Sequence, residues 1–161
     1  MIKDIRLDDR LIHGQVLCSW IPRNSINKIV VVDDEIVKDK VRKSALKFGC
    51  PEKVSLSFHS AAKTAEILNK NGDDGYNVMI LCRGPVAVWK MVEAGYKVDK
   101  ITVGNMSPRG NDDVHIEGTT YASPEEIEAF KNLIRNGTKV YLQCLPKDNP
   151  KDLKPFFEKL K

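Results

Sequence analysis

Two side chains near the start of the chain, Arg10 and His13, have the chemistry to hold and accept a phosphoryl group. A planar guanidinium can bind phosphate oxygens through two parallel hydrogen bonds. A neutral imidazole is a nucleophile near pH 7, because the reference pKa of histidine is about 6.5, so it needs no strong base to activate it. Both residues lie in a polar turn between an apolar run that ends at Asp8 and a helical pattern that includes Val16. Since the amides at a helix N-terminus attract anions, this position favours phosphate binding.

The residues around this pair support the same chemistry but also have structural interpretations. Gly14 would let a ligand or another backbone approach closely. Gln15 could orient the imidazole or bond a phosphate oxygen, and it could equally be a solvated helix residue. Asp8 or Asp9 could accept the second ring N–H of His13 and fix its tautomer, or could only cap the helix. The guanidinium of Arg10 could also simply pair with the carboxylates of Asp8 and Asp9.

Other charged residues follow later strands. Asp33 follows an apolar strand where a ribose-binding acid can occur, but no Gly-x-Gly-x-x-Gly motif precedes it, and capping of the next helix is the simpler interpretation. Arg83, at another strand end, is a candidate contact for phosphate or for a partner, with a surface role as the alternative. His59 and His115 are interpreted as solvated residues.

The composition fits an ordinary globular domain and argues against several classes of protein. The chain has 161 residues, 42% of them hydrophobic and 30% charged, with a net charge of +4, which suits one domain with a sizeable core. The sequence has no basic stripe with interleaved aromatic residues, so nucleic-acid binding is not indicated. The cysteines form no Cys-x-x-Cys pair, so neither a metal site nor a disulfide framework is expected.

The N-terminus is charged and lacks an apolar signal core. No apolar run approaches the roughly 20 residues that a membrane helix needs. We therefore expect a cytoplasmic protein.

Apolar periodicity predicts strands and helices that alternate along the chain. Strands are predicted near residues 2–7, 28–32, 54–58, 78–82, 100–103, 119–122 and 139–143. Helices are predicted near residues 13–21, 37–48, 60–71 and 86–94, after Ser123, and after Pro150. Ser-Pro-Glu-Glu at residues 123–126 is a strong helix start. The helix over residues 37–48 is expected to direct four apolar residues inward, namely Val41, Ala45, Leu46 and Phe48. A long polar loop is expected over residues 106–118.

This alternation predicts an α/β fold, a three-layer αβα sandwich with a mainly parallel central sheet of about seven strands in a single domain over residues 1–161. Ligands of such folds bind outside the carboxyl ends of the strands. The loop that carries His13 should lie at that edge, together with the residues that follow the other strands.

Four motifs resemble the IIB subunit of the mannose/fructose/sorbose family of bacterial phosphoenolpyruvate-dependent sugar phosphotransferase systems. Residues 8–16, Asp-Asp-Arg-Leu-Ile-His-Gly-Gln-Val, resemble the family's active-site loop. Residues 29–35 resemble its second strand and the exit from it, residues 101–106 its Val-Gly-Asn-Met turn, and residues 140–146 its last strand. The four motifs occur in the family's order over nearly the whole chain.

The resemblance implies a sorbose-type IIB domain that works as a cytoplasmic phosphocarrier. His13 would be the phosphorylated histidine, which takes phosphate at Nδ1 from a IIA protein and passes it to sugar that enters through IIC/IID membrane subunits. Arg10 would stabilise the phosphoryl group. The resemblance implies no cofactor and a peripheral association with the membrane permease, and it leaves a homodimer open. The loop after Met106 departs from the family pattern, because Arg109 is followed by acidic residues.

Two other functions fit the same pattern. One is a Rossmann-like domain that binds a phosphorylated metabolite without transferring the phosphate. The other is a regulatory protein of similar fold whose phosphorylated state controls a partner.

Overall fold

Strands and helices alternate along the chain in the computed structural model, which describes residues 1–160. The strands are β1 (Ile2–Asp8), β2 (Lys28–Val32), β3 (Ser55–His59), β4 (Val78–Cys82), β5 (Lys100–Asn105), β6 (Val114–Glu117), β7 (Thr120–Ala122), β8 (Lys139–Leu142) and β9 (Lys151–Asp152). The α-helices are α1 (Ile21–Arg23), α2 (Lys40–Gly49), α3 (Ala61–Asn69), α4 (Pro85–Glu93), α5 (Pro124–Arg135) and α6 (Lys154–Lys159). A π-helix, Val16–Trp20, leads directly into α1, and a 3-10 helix, Ile36–Lys38, precedes α2.

A seven-stranded sheet with the order β3-β2-β4-β1-β5-β8-β9 forms the middle layer. All neighbouring strands are parallel except β9, which runs antiparallel to β8. The first strand lies at the centre, where Leu7 is in register with Cys82 of β4 and Val103 of β5. Because β1 connects to β2 on one side while β5 lies on the other, the loop after β1 leaves the sheet at a topological switch point.

The two faces of the sheet bury alternate side chains, as the two-residue period of a strand requires. In β2, Val30 and Val32 join the cluster that α3, α4 and α5 cover, whereas Ile29 and Val31 pack with the π-helix and α1. Continuous β-branched residues therefore serve both layers, which is typical of a parallel strand. The predicted three-layer αβα architecture is confirmed.

Short polar side chains begin several of the helices. Ser123 accepts from the backbone N–H of Glu126, whose carboxylate accepts from the backbone N–H of Ser123 in return, so α5 begins with the predicted capping box. Ser60 caps α3 and Asp39 caps α2 in the same manner, with one hydrogen bond each. None of the helices in residues 1–160 is long and apolar enough to cross a membrane.

The prediction for the inward face of α2 was wrong. Val41 and Phe48 are among the most exposed apolar residues of the described chain, and Ala45 is also exposed. Only Leu46 of the four predicted residues packs against the core. The helical period identifies an apolar stripe but does not tell which way the stripe faces.

The seven strands of the central sheet are not the seven that the sequence predicted. The segment near residues 119–122 does form a strand, β7, but it pairs with β6 in a separate antiparallel hairpin. The long loop over residues 106–118 therefore contains β6. The two-residue strand β9, which is too short to give a pattern, completes the central sheet.

Candidate active site

The loop between β1 and the first helix is held in a strained conformation. Leu11 has φ of 58°, in the left-handed region that a leucine rarely adopts. Its backbone N–H donates to the carbonyl of Asp8 over 3.0 Å, and its side chain is completely buried. Burial of Leu11 thus fixes the turn, and the residues on either side of it, Arg10 and His13, are held at the surface. Such strain is often retained at functional sites.

The carboxylate of Asp8 is the centre of the site. It is only 1% exposed and accepts hydrogen bonds from the backbone N–H and the guanidinium of Arg10 and from the ring of His13. Burial alone would raise the pKa of Asp8, but the hydrogen bonds from His13 and Arg10 outweigh it, and the pKa lies below the usual value. Asp8 is therefore an anion that can only accept hydrogen bonds.

This anion determines the tautomer of His13. Nε2 lies 2.9 Å from Oδ2 of Asp8 and must supply the proton of that hydrogen bond. In the neutral ring Nδ1 then carries the lone pair, and it has no hydrogen-bond partner within residues 1–160. The side chain is 15% exposed. Nδ1 is therefore available as the nucleophile, whereas Nε2 is hydrogen-bonded to Asp8.

The same carboxylate orients Arg10. Nε lies 3.1 Å from Oδ1 of Asp8 and Nη2 lies 3.1 Å from Oδ2, a bidentate pairing that fixes the plane of the guanidinium. Nη2 also donates to Oε1 of Gln15 over 3.0 Å. The side chain is 42% exposed. The sequence left open whether Arg10 pairs with a carboxylate or faces an anion. The structure shows the pairing, and much of the guanidinium group remains open to solvent.

The helix that follows His13 supplies free backbone amides. Helical backbone begins at Gly14 and continues into the π-helix. A Cβ added to Gly14 would meet no other atom within 4 Å, so the space beside this residue is open. The backbone N–H of Leu17 donates to the carbonyl of His13 over 3.0 Å, as the first turn of a helix requires, and the amides before it have no carbonyl of a preceding turn to bond. An anion can therefore approach the backbone between His13 and Val16.

Asp9 has a different role from its neighbour. Its carboxylate accepts from the side-chain amide of Asn105 over 2.9 Å and from the backbone N–H of Ser107 over 2.7 Å. Its own backbone N–H donates to the carbonyl of Asn105. Asp9 thus ties the loop after β1 to the turn after β5.

A buried polar column below the site was not predicted from the sequence. Arg6 is 1% exposed and stacks over Trp20, with the guanidinium carbon 4.0 Å from the ring centroid. Nη2 donates to the carbonyls of Gln143 and Cys144 over 2.7 and 2.9 Å. Asp4 lies 3.9 Å from Nη1. Burial raises the pKa of Asp4 and lowers that of Arg6.

The signal for this column was present in β1. Asp4, Arg6 and Asp8 alternate with the core residues Ile5 and Leu7, so all three polar side chains share one face of the strand. A strand in the middle of a covered sheet has no face open to water, so its polar residues depend on one another and on the next loop for partners. Here the pairing is incomplete, because Nε and Nη1 of Arg6 and Oδ2 of Asp4 have no hydrogen-bond partner within residues 1–160.

Asp33 and Arg83 lie together, in a neighbouring cleft of about 350 Å³ that neither His13 nor Arg10 lines. Nη2 of Arg83 lies 3.1 Å from Oδ1 of Asp33. The same carboxylate caps the next turn through the amides of Glu35 and Ile36. Burial would raise the pKa of Asp33, but the hydrogen bond from Arg83 outweighs it and the net shift is downward.

The other two histidines lie outside the loop. His59 ends β3, and His115 lies in β6, where Nε2 is 2.9 Å from the carbonyl of Gly118. Within residues 1–160 no group of three His, Cys, Asp or Glu side chains could hold a metal ion.

Comparison with known proteins identifies this fold with IIB components of sugar phosphotransferase systems. The IIBSor domain of the sorbose permease from Klebsiella pneumoniae superposes with a TM-score of 0.89 and 25% identity, covering 100% of this chain and 98% of that one. The chain belongs to the family described as the PTS system sorbose subfamily IIB component, which it matches over residues 2–161.

Relatives of known name agree with this assignment. The PTS system fructose-specific EIIB component of Bacillus subtilis is 33% identical over 147 residues, which is 91% of this chain and 90% of that protein. The PTS system mannose-specific EIIAB component of Escherichia coli K12 is 34% identical over 143 residues, or 89% of this chain. The chain spans only 44% of that second relative.

Proposed function

We propose that this protein takes a phosphoryl group onto Nδ1 of His13 and passes it to a sugar, as a protein-N(pi)-phosphohistidine–sugar phosphotransferase. The observation that carries the proposal is the contact between Nε2 of His13 and Asp8, because it leaves Nδ1 as the free nucleophile. The chain's membership of the IIB family supports the assignment.

The first step is an in-line displacement at phosphorus. The lone pair of Nδ1 forms the new N–P bond while the N–P bond of the donor breaks, and its electron pair stays on the donor nitrogen. The proton remains on Nε2, so the ring of His13 becomes cationic, and the carboxylate of Asp8 stabilises that charge over 2.9 Å.

Positioning and electrostatics supply the rest of this step, since phosphoryl transfer needs little covalent assistance. The exposed edge of Arg10 and the amides after Gly14 would bind the equatorial oxygens, which is supported by the exposure of the guanidinium and by the open space beside Gly14. Gln15 would hold the guanidinium in its orientation. Asp9 would keep the loop in register with the turn after β5. The contacts of Asp33 and Arg83 support an ion pair in the adjacent cleft, so we assign them no contact with phosphate.

The second step returns the protein to its starting state. A sugar hydroxyl attacks phosphorus, the P–Nδ1 bond breaks, its electron pair returns to His13, and the hydroxyl proton leaves to solvent or to a base of the acceptor. The donor would be a IIA protein and the acceptor a sugar held by IIC/IID membrane subunits. The EIIAB name of one relative supports the IIA donor. We accordingly propose a cytoplasmic location beside the permease, with no cofactor.

The test is labelling from phosphoenolpyruvate with the general carrier proteins and a cognate IIA protein. We expect an acid-labile, base-stable phosphoprotein that His13→Ala abolishes and that His115→Ala, a matched control, leaves unchanged. Label that survives His13→Ala would overturn the proposal. Label that is never passed to sugar in membranes containing IIC/IID would favour the regulatory function.

A further inference from the structure

The apolar stripe of α2 faces away from the protein. Val41 is 81% exposed and Phe48 is 95% exposed, and Ala45 between them is exposed as well. At about 100° per residue these three side chains share one side of the helix. Leu46, which packs against the core, lies on the other side. Contiguous apolar residues of this kind on a surface mark an interaction site.

Basic side chains flank the stripe on both sides. Lys40 and Lys47 lie along one border and Arg42 along the other, and α2 contains no acidic residue. None of these three cations forms a salt bridge within residues 1–160. The surface is therefore complementary to an apolar recess with an acidic rim.

This surface borders the loop that carries the nucleophile. A Cβ added at Gly49, the residue after Phe48, would lie 3.9 Å from Cγ2 of Ile12. Ile12 directly precedes His13. A specific interface takes up about 800 Å² on each partner, so a protein that covers the imidazole can reach the C-terminal end of α2 as well.

We infer that the exposed stripe of α2, formed by Val41, Ala45 and Phe48, is the docking surface for the phosphodonor protein. The inference rests on the proposed function. During transfer the donor histidine and Nδ1 of His13 lie on opposite sides of the same phosphorus atom, so the donor surface lies directly over His13 and its neighbours. Phe48 would fill an apolar recess as the anchor, since aromatic residues carry much of the affinity of such interfaces. The cations would attract the acidic rim and speed encounter.

Charge favours the donor over the other partners of the site. Cytoplasmic loops of membrane proteins carry an excess of Lys and Arg, which would repel a basic helix. The phosphorylated donor instead brings negative charge to the site. A stripe of three apolar residues on a ten-residue helix is also small for binding in the plane of a bilayer.

The first test measures the rate of labelling of His13 at increasing concentrations of phosphorylated IIA protein. For Phe48→Ser we expect the KM for the donor to rise about tenfold or more, with the rate at saturation unchanged. Tyr76→Ser is the matched control, because this aromatic is also exposed but precedes β4, at the opposite edge of the sheet. An unchanged KM for Phe48→Ser would overturn the inference.

A binding measurement separates this inference from the proposed function. His13→Ala with and without Phe48→Ser is titrated with the IIA protein, so docking is measured without transfer. If the wild-type protein takes no label but Phe48→Ser weakens the binding of the IIA protein, the proposed phosphoryl relay is wrong and the docking inference still holds.

Two further measurements cover the other occupants. The rate of transfer to sugar in IIC/IID membranes and sedimentation with phosphatidylglycerol vesicles are compared for wild type and Phe48→Ser. If Phe48→Ser impairs transfer to sugar or binding to vesicles but leaves the KM for the donor unchanged, α2 contacts the permease or the lipid and the donor inference is wrong.

Discussion

The Nε2 atom of His13 lies 2.9 Å from Oδ2 of Asp8, and the same carboxylate holds the guanidinium of Arg10 from the other side. One buried anion thus sets the tautomer of the ring and the plane of the fork together. Neither side chain could be correctly placed if Asp8 were neutral, because a protonated carboxyl group, like a carboxamide, has a donor on one of its two polar atoms and no longer offers two anionic acceptors.

Asp8→Asn should therefore slow labelling of His13 far more than it disturbs the fold. The amide nitrogen would oppose the N–H of Nε2 and favour the wrong tautomer, and we expect a loss on the order of 10²- to 10⁴-fold in transfer rate. The measurement is single-turnover labelling from phosphorylated IIA, alongside the near-UV circular dichroism of both proteins. Asp99→Asn is the control, since this carboxylate is exposed and directly precedes β5, at the edge of the sheet away from His13.

Arg10→Lys should slow phosphoryl transfer although the charge is retained. Lysine is a point charge that cannot span both oxygens of Asp8 or present a planar fork to phosphate. We expect a loss of about 10- to 100-fold in labelling rate with the melting temperature nearly unchanged, because the side chain is 42% exposed. Labelling at the wild-type rate would show that Arg10 does not touch the phosphoryl group.

Gly14→Ala tests the open space beside the nucleophile. A methyl group there meets no atom within 4 Å in the free protein, so the free energy of unfolding should not fall. The methyl would nevertheless occupy the approach of a phosphoryl group to the helix amides, and the labelling rate should drop about tenfold or more. Unchanged labelling would mean that the phosphate enters from elsewhere.

Arg6→Met should destabilise the fold. The substitution leaves the carbonyls of Gln143 and Cys144 without their donor, and we expect a loss of about 3–5 kcal/mol in the free energy of unfolding. Urea denaturation measures it. Lys3→Met on the same strand is the control, because Lys3 is exposed and its loss should be close to neutral.

Asp33 should contribute stability that disappears in acid. Its pKa is lower in the folded protein than in the unfolded chain, so the unfolded state binds the proton first and stability falls as pH drops from about 4 through the folded-state pKa. Asp33→Asn should flatten that part of the curve when the free energy of unfolding is measured between pH 2 and 6. An equally steep acid limb in the variant would assign it to other carboxylates, with Asp8 as the first candidate.

The site loop and the sheet could be predicted because their signals are local. The apolar run before Asp8 and the helical pattern from Val16 fix a strand and a helix, and parallel order then places His13 at the carboxyl edge. The choice between Asp8 and Asp9 as the partner of the ring could not be made, since it depends on the turn that Leu11 adopts at φ of 58°.

Other features depend on long-range packing that no local pattern contains. The role of Arg6 requires the loop at Gln143 to fold back over β1, far along the chain. The exposure of Phe48 depends on which side of α2 meets the sheet. Both are tertiary choices, and both were missed for that reason.

The central place of β1 has a consequence for biosynthesis. This strand leaves the ribosome before the other strands of the sheet, yet its two neighbours, β4 and β5, begin only at residues 78 and 100. Such distant pairing is slow to form, and domains emerge N-terminus first. Until Asn105 has been synthesised, the carboxylate of Asp9 has no partner at the end of β5, so the loop that carries the imidazole lacks its tie to that strand.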